Sequence, residues 1–248
     1  MSADEVGAYD AELVARLRAV LGHALVGVYV SGSAALGDYV PGKSDLDRFA
    51  VVERALDRAT KDAVVAATRH EALPCPARGL ELVVYTRAAA RLARGVDFEL
   101  NLNSGRAMPF HATFDPADEP AHWFVLDRAI VGERGWALTG PPPREVFAAV
   151  PRAVALAALR ESLAWHAENP EEAGENAVLN AARALRFAER GDWVSKAEAA
   201  AWARGHVDDP GVIDAALAAR ERGSTQRLDR AAASRLLEAV SHRLPQPA

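Results

Sequence analysis

Cysteine is almost absent from this sequence, which has a single one, Cys75, among 248 residues. One cysteine excludes an internal disulfide and a cysteine-rich zinc site. Seven histidines are present, but no two have the His-x-x-x-His spacing of a helical zinc site. We therefore expect neither a disulfide framework nor zinc chemistry.

Long apolar runs are also missing. No stretch of 18 apolar residues occurs, so we expect no membrane-spanning helix and no membrane partner. The first residues are acidic and lack the apolar core of a signal peptide. These features predict a cytoplasmic protein.

Basic tracts are lacking as well. The net charge is -5 and lysine and arginine form no cluster, so we expect no nucleic-acid partner. An acidic balance suits a small cationic substrate. No exposed apolar seam is evident in the sequence, and we expect a monomer.

The motifs that suggest chemistry lie between two predicted strands. An apolar strand ending at Val30 leads into Gly32-Ser33, and a second strand opens with Asp45-x-Asp47. Gly32 has no Cβ, so backbone can approach a ligand there. Ser33 falls at the predicted start of a short helix, where N–H groups and a hydroxyl can hold a phosphate. Residues two apart in a strand share a face, so Asp45 and Asp47 place two carboxylates together, as Mg²⁺ on a triphosphate requires.

This pattern resembles the signature of the polymerase-β-type nucleotidyltransferases, in which Gly-Ser is followed by Asp-x-Asp on the next strand. The resemblance implies that Gly32, Ser33 and Ser44 hold the phosphates of ATP, and that Asp45 and Asp47 bind Mg²⁺. The alternative is an Asx-rich turn between two strands.

The third predicted strand, Leu80–Thr86, carries one acid, Glu81. A glutamate inside an apolar strand is costly unless it is paired, metal-bound or at an open end. The resemblance implies that Glu81 is the general base for the attacking hydroxyl, or a further metal ligand. The alternative is an exposed carboxylate on an edge strand.

Arg48 interrupts the second strand, which is predicted at Leu46–Val52, and points away from the carboxylate face by alternation. We expect it to pair with an acid such as Glu53 rather than to contact a phosphate.

A fourth strand, Phe98–Asn103, places one set of polar side chains on a single face, which either lines a cleft or meets solvent. That set is Glu99, Asn101 and Asn103. Residues 105–120 predict a long loop, in which His111 is the candidate for substrate contact.

The pattern of elements predicts an α+β protein. We expect a mixed sheet flanked by helices in residues 1–143 and an all-α helical bundle in residues 144–248. The resemblance implies that the first is a nucleotidyltransferase domain and that the second binds substrate and nucleotide. The proline-rich stretch Gly140–Pro143 is interpreted as a rigid linker. Helices of the first half are predicted at Asp10–Leu21, Thr60–His70, Arg87–Arg94 and Trp123–Val131. Helices of the second half are predicted at Pro151–Glu168, Glu175–Arg190, Ser195–Arg204, Val212–Arg220 and Asp229–Arg243.

The helical half makes the resemblance more specific. The stretches Asn176–Leu185 and Ser195–Ala203 look like the C-terminal domain of streptomycin/spectinomycin adenylyltransferases. The resemblance implies Mg²⁺-dependent transfer of AMP from ATP to a hydroxyl of an aminoglycoside or aminocyclitol, with release of pyrophosphate. It also implies that a basic residue on a late helix reaches the nucleotide, and Arg220 is the nearest counterpart.

Two departures leave other acceptors open. Acids that the family carries near its conserved arginine helix are not evident, and Ser104-Gly105-Arg106 stands where the family has a tryptophan. Another amino-sugar metabolite or a protein hydroxyl therefore remains an alternative acceptor. A catalytically silent nucleotide-binding homologue is the alternative from another class.

Overall fold

The computed structural model describes residues 3–222 and 228–245. The chain divides into two compact units, Met1–Val150 and Pro151–Ala248. The predicted boundary lay after Pro143, at the proline-rich stretch. The structure places it after Val150 because the residues that follow those prolines, Val146 and Phe147, are buried in the core of the first unit.

The first unit is a sheet with helices on both faces. Its helices are α1 (Ala3–Leu21), α2 (Gly32–Ala35), α3 (Arg58–Thr68), α4 (Arg87–Ala90), α5 (Ala121–Arg134) and α6 (Pro143–Val146), with 3₁₀ turns at Gly22–Ala24 and Pro116–Asp118. Its strands are β1 (Leu25–Val30), β2 (Leu46–Val52), β3 (Leu80–Thr86), β4 (Leu100–Gly105), β5 (Met108–Thr113) and β6 (Trp136–Thr139).

The six strands form one mixed sheet in the order β5-β4-β3-β2-β1-β6. Strands β2 and β3 are parallel and the other neighbours are antiparallel. The parallel pair follows from the crossover through α3, since parallel neighbours cannot be joined by a tight turn. The predicted α+β class with a mixed sheet is confirmed.

Alternation along the strands gives the sheet two apolar faces. On one face Ala50 and Leu82 pack with Leu13, Leu17 and other residues of α1 and α3. The opposite face carries an aromatic cluster. It contains Tyr29, Phe49, Tyr85 and Phe147, with the rings of Tyr29 and Phe147 5.2 Å apart and nearly perpendicular. Residues of α5 bury their apolar side chains in this second cluster.

Both ends of the sheet differ from the prediction. The predicted loop over residues 105–120 contains β5, which pairs with β4 as a hairpin. Pro109 is tolerated there because β5 is an edge strand, where a missing N–H breaks no ladder. Strand β6 was not predicted, and it forms the other edge. Helix α4 ends at Ala90, so the predicted helix Arg87–Arg94 is too long.

The second unit is a helical bundle built around one helix. Helix α8 (Pro170–Arg190) packs against α7 (Arg152–Glu168), α9 (Lys196–Ala203), α10 (Gly211–Arg222) and α11 (Arg230–Arg243). Gly191 ends α8 in the left-handed conformation, with φ of 79°. Ser195 caps α9 by accepting a hydrogen bond from the Glu198 N–H, as the predicted capping box requires.

Across residues 3–222 and 228–245, no helix combines the length and the apolar character that a bilayer crossing requires.

Candidate active site

The turn after β1 lies against the carboxylate of Asp47. Gly32 has φ of +59°, and a Cβ built on it would lie 1.9 Å from Oδ2 of Asp47. The preceding N–H, of Ser31, donates to the Asp47 carbonyl at 3.1 Å. Glycine is therefore required at position 32 for two reasons, the left-handed backbone and the space that the carboxylate occupies.

Two serine hydroxyls in this turn are buried without a hydrogen-bond partner among the described residues, those of Ser31 and Ser33. A buried hydroxyl without a partner is costly unless a ligand completes its bonding. Ser33 was predicted as a phosphate ligand, and this role stays a prediction. Ser31 was not considered, because only burial distinguishes it from an ordinary strand-end serine.

Ser44 occupies a different position. Its hydroxyl accepts a hydrogen bond from the N–H of Val40 at 2.9 Å, and the side chain is buried. Ser44 thus closes the turn that precedes β2. Its predicted support of the ATP phosphates stays a prediction.

The register of the sheet aligns polar residues from four neighbouring strands. Asp47 of β2 is beside Glu81 of β3, Glu81 is opposite Asn103 of β4, and Asn103 is opposite His111 of β5. Paired residues in adjacent strands project from the same face of a sheet. We name these four residues the polar row. The predicted acids Asp47 and Glu81 are therefore brought together, and Asn103 lies next to them.

Negative charge accumulates around Glu81. Burial raises the pKa of its carboxyl well above the usual value, and the charges of Asp47, Asp45 and Asp127 raise it further, while Arg78 opposes them. Asp127 belongs to α5 and was not predicted as a site residue. Nothing in the helical pattern of α5 marks it, because its approach to Glu81 depends on how the helix packs on the sheet.

The third predicted acid, Asp45, lies one residue before β2. Its Oδ2 accepts a hydrogen bond from Nη1 of Arg78 at 3.0 Å, which forms an ion pair. Arg78 was not identified from the sequence. Its position between two predicted elements gives no signal of a partner, since the pair joins residues that are distant in the chain.

The carboxylates suit a hard divalent cation. Within residues 3–222 and 228–245, no three His, Cys, Asp or Glu side chains already stand in the arrangement of a metal site. The donor chemistry nevertheless fits Mg²⁺, because Asp45, Asp47 and Glu81 offer carboxylate oxygens. Burial and then the charges of the neighbouring acids raise the pKa of Glu81, and a cation would relieve the repulsion among these carboxylates. The assignment of these three acids as metal ligands stays a prediction.

Arg48 has a different partner from the one predicted. It is buried, and its guanidinium forms an ion pair with Asp10 of α1 at 2.7 Å. Glu53 pairs instead with Arg87. The prediction of an acidic partner was right in kind but wrong in identity, because the side chain turns into the core beneath α1 rather than along the margin of the sheet.

The polar residues of the predicted fourth strand, Phe98–Asn103, mostly have partners within the protein. Glu99 is buried and accepts hydrogen bonds from the N–H of Leu56 at 2.9 Å and from Lys61, with which it forms an ion pair at 3.0 Å. Neither expected role, cleft lining or solvent exposure, applies to it. Asn101 donates to Glu119 at 3.0 Å. Of the predicted polar set, Asn103 is the member that lies in the polar row.

His111 lies on β5 rather than in a loop, and its Nε2 is 2.6 Å from Oε1 of Glu119. The imidazole is about half exposed, at 49%. Its predicted role in substrate contact stays a prediction, now with Glu119 as its orienting partner.

The second unit carries the predicted nucleotide ligand Arg220, which is half-buried on α10. Its role stays a prediction. Other basic residues of this unit have partners on α8: Arg183 donates to Asn180 at 2.9 Å, and Lys196 donates to Asn176 at 2.9 Å.

One further sequence pattern lies beside the site. Residues 37–44, Gly-Asp-Tyr-Val-Pro-Gly-Lys-Ser, satisfy the spacing of a P-loop. A P-loop follows a strand and opens a helix, whereas this stretch follows α2 and leads into β2. The local structure therefore does not support a P-loop, despite the spacing.

The helical unit is similar to a known protein family. Residues 145–245 match the family model described as aminoglycoside adenylyltransferase, C-terminal domain. The resemblance predicted for the helical unit is confirmed over these residues, and the match supports the predicted enzyme class, a nucleotidyltransferase. No curated protein matches the sequence.

A solved structure resembles the entire chain. It is the crystal structure of spectinomycin adenyltransferase AAD(9) from Enterococcus faecialis with ATP and spectinomycin. The TM-score is 0.69 at 15% sequence identity, over 96% of this chain and 99% of that chain. At that identity the match shows a shared fold, which extends over both units.

Proposed function

We propose that this protein transfers AMP from ATP to a hydroxyl of an aminoglycoside or aminocyclitol antibiotic of the streptomycin/spectinomycin type, and releases pyrophosphate. The observation that carries the proposal is the pairing of Asp47 with Glu81 on adjacent strands, beside the Gly32 turn. The family of the helical unit supports the class of acceptor. The ATP and spectinomycin of the AAD(9) structure support the same pair of substrates.

The phosphates of ATP are assigned to the turn after β1. The hydroxyl of Ser33 is buried and available to donate to a phosphate oxygen, and the absence of a Cβ on Gly32 leaves room for the Asp47 carboxylate beside this turn. Ser44 supports this loop, and Arg220 stays the nucleotide ligand that the resemblance implies within the helical unit. When bound by Asp45 and Asp47, Mg²⁺ would neutralise charge on the triphosphate, with Glu81 as a further candidate ligand.

Glu81 is the proposed general base. Its raised pKa makes it a better proton acceptor than an ordinary carboxylate once it is ionised. It takes the proton from the acceptor hydroxyl, whose oxygen bonds to the α-phosphorus. The bond from that phosphorus to the bridging oxygen breaks, and pyrophosphate leaves with its electrons. The protonated carboxyl that results is neutral, which its buried position favours.

The acids around Glu81 also favour a cationic acceptor. Asp45, Asp47 and Asp127 all act on the Glu81 carboxyl, so a substrate ammonium group near the polar row would experience the same negative field. A site of one charge sign raises the local concentration of ligands of the opposite sign. The proposed acceptor, an amine-rich antibiotic, has this charge.

The test is release of pyrophosphate from ATP and Mg²⁺, with streptomycin, spectinomycin and other aminocyclitols added in turn. Release that depends on one drug is expected, and Glu81→Gln and Asp47→Ala should each abolish it. Glu53→Gln is the matched control, because it removes an exposed carboxylate paired with Arg87. Absence of drug-dependent release with every acceptor, in protein that binds ATP, would refute the proposed function.

A further inference from the structure

The buried ion pair between Arg48 and Asp10 stands directly behind Asp47. Arg48 follows Asp47 in β2 and is only 1% exposed. Its Nε donates to Oδ1 of Asp10 at 2.7 Å, and its Nη2 donates to Oδ2 at 2.9 Å. The guanidinium is thus clamped in a bidentate geometry by a carboxylate that α1 supplies.

The third nitrogen of the guanidinium reaches the proposed catalytic residue. Nη1 of Arg48 donates to the carbonyl oxygen of Asp47 at 3.0 Å. The same oxygen accepts the N–H of Ser31 at 3.1 Å. Two donors, one from the turn after β1 and one anchored by α1, therefore fix the peptide that follows Asp47. A fixed peptide limits the direction in which the Asp47 side chain can leave the strand.

A contribution to folding stability does not by itself explain the buried pair of Arg48 and Asp10. A buried ion pair loses so much hydration that replacement by apolar residues of similar volume is often neutral or stabilising. The surrounding face of the sheet is an apolar core, formed with α1 and α3, where such residues would pack well. The contact that an apolar pair could not reproduce is the hydrogen bond to the Asp47 carbonyl.

We propose that Arg48, held by Asp10, is a positioning residue that orients Asp47 toward the metal-bound triphosphate. The proposal rests on the proposed function for the role of Asp47. Neither side chain touches substrate, and both act through the Asp47 peptide. Helix α1 thereby becomes part of the support of the active site.

The test replaces the pair by apolar residues, with Arg48→Met and Asp10→Leu combined. The double variant should unfold cooperatively near the wild-type temperature, since no charge is left unpaired. Its kcat should fall about 100-fold, as for a reacting group displaced by about 1 Å. Mn²⁺ binding in the presence of a non-hydrolysable ATP analogue, followed by electron paramagnetic resonance, should weaken roughly 10-fold, as when the outer partner of a metal ligand is lost. The KM of the acceptor should not change.

Two conservative variants keep the test decisive if the double variant does not fold. Asp10→Asn keeps one acceptor oxygen, and Arg48→Lys keeps the charge but cannot bond to Asp10 and to the Asp47 carbonyl in the same geometry. Asp10→Asn should unfold at a lower temperature, because the buried Arg48 charge loses its counter-charge. Below that temperature both variants should show intermediate losses of kcat and Mn²⁺ affinity. Folded variants with wild-type kcat and Mn²⁺ affinity would overturn the proposal. If wild-type protein transfers AMP to no acceptor, the proposed function fails, while the Mn²⁺ measurement still decides whether the pair positions Asp47.

Discussion

Replacing Gly32 by alanine should inactivate the enzyme with only a modest loss of stability. The backbone there has φ of +59°, and the built Cβ lies 1.9 Å from Oδ2 and 2.1 Å from Cγ of Asp47. Real Cβ contacts essentially never fall under 3.0 Å, so the carboxylate must withdraw by at least about 1 Å. A displacement of that size at a reacting group can cost about 100-fold in rate.

The expected loss of stability comes from the backbone. An alanine in the left-handed region costs about 1–2 kcal/mol, partly offset because alanine also lowers the entropy of the unfolded chain. Gly22 provides a matched control in the same unit, since it has φ of +53° and nothing within 4 Å of its built Cβ. Gly22→Ala should therefore show the same backbone strain without any contact with Asp47.

The assay compares urea unfolding and pyrophosphate release for both variants. Each should lose a similar free energy of unfolding, while only Gly32→Ala should lose activity, with kcat down about 100-fold. Equal activity in the two variants would refute the reasoning, because it would mean that the Asp47 carboxylate need not occupy the space above Gly32.

Three further substitutions test other parts of the site. Because the pKa of Glu81 is raised from its usual 4.5, its contribution to stability is full below that value and is lost as the pH rises through the folded-state pKa. Glu81→Gln should therefore increase the free energy of unfolding of metal-free protein at pH 8, because glutamine has no charge for burial and the neighbouring acids to oppose; a lower urea midpoint would contradict this. Ser44→Ala should cost about 1 kcal/mol by removing the acceptor of the Val40 N–H, and an unchanged urea midpoint would count against that bond. Asn103→Ala should raise the KM of the acceptor but not that of ATP in steady-state kinetics, because Asn103 stands beside Glu81, and an effect on ATP alone would be inconsistent with this placement.

The local sequence pattern was sufficient to predict the central strands and the acids that they carry. The apolar runs Leu46–Val52 and Leu80–Thr86 were predicted with the bounds that the structure has, because buried strands between turn residues have a strong signal. The edge strand β5 was missed because Pro109 interrupts its pattern, and β6 was missed because a strand of four residues has little pattern to detect.

Side chains that meet only in the folded structure were harder to predict than the helices and strands. Asp10 lies 38 residues before Arg48, and its position on α1 meets Arg48 only after the helix packs on the sheet. Asp127 approaches Glu81 for the same kind of reason. The alternation of β2 placed the Arg48 side chain on the correct face, but alternation carries no information about which helix covers that face.

The pairing of Asp47 with Glu81 limits where the amino-acid sequence can gain or lose residues. The connection from β2 to α3, which is exposed at residues 53–55, can gain or lose residues without altering the pairing, since surface connections tolerate insertions. A single residue inserted within β3 would instead exchange the two faces of the strand beyond it. If the strand slipped by one position, Leu80 or Leu82 would replace Glu81 beside Asp47, and a carboxylate would enter the apolar core. Natural variation in length is therefore expected in that connection and excluded from the strand.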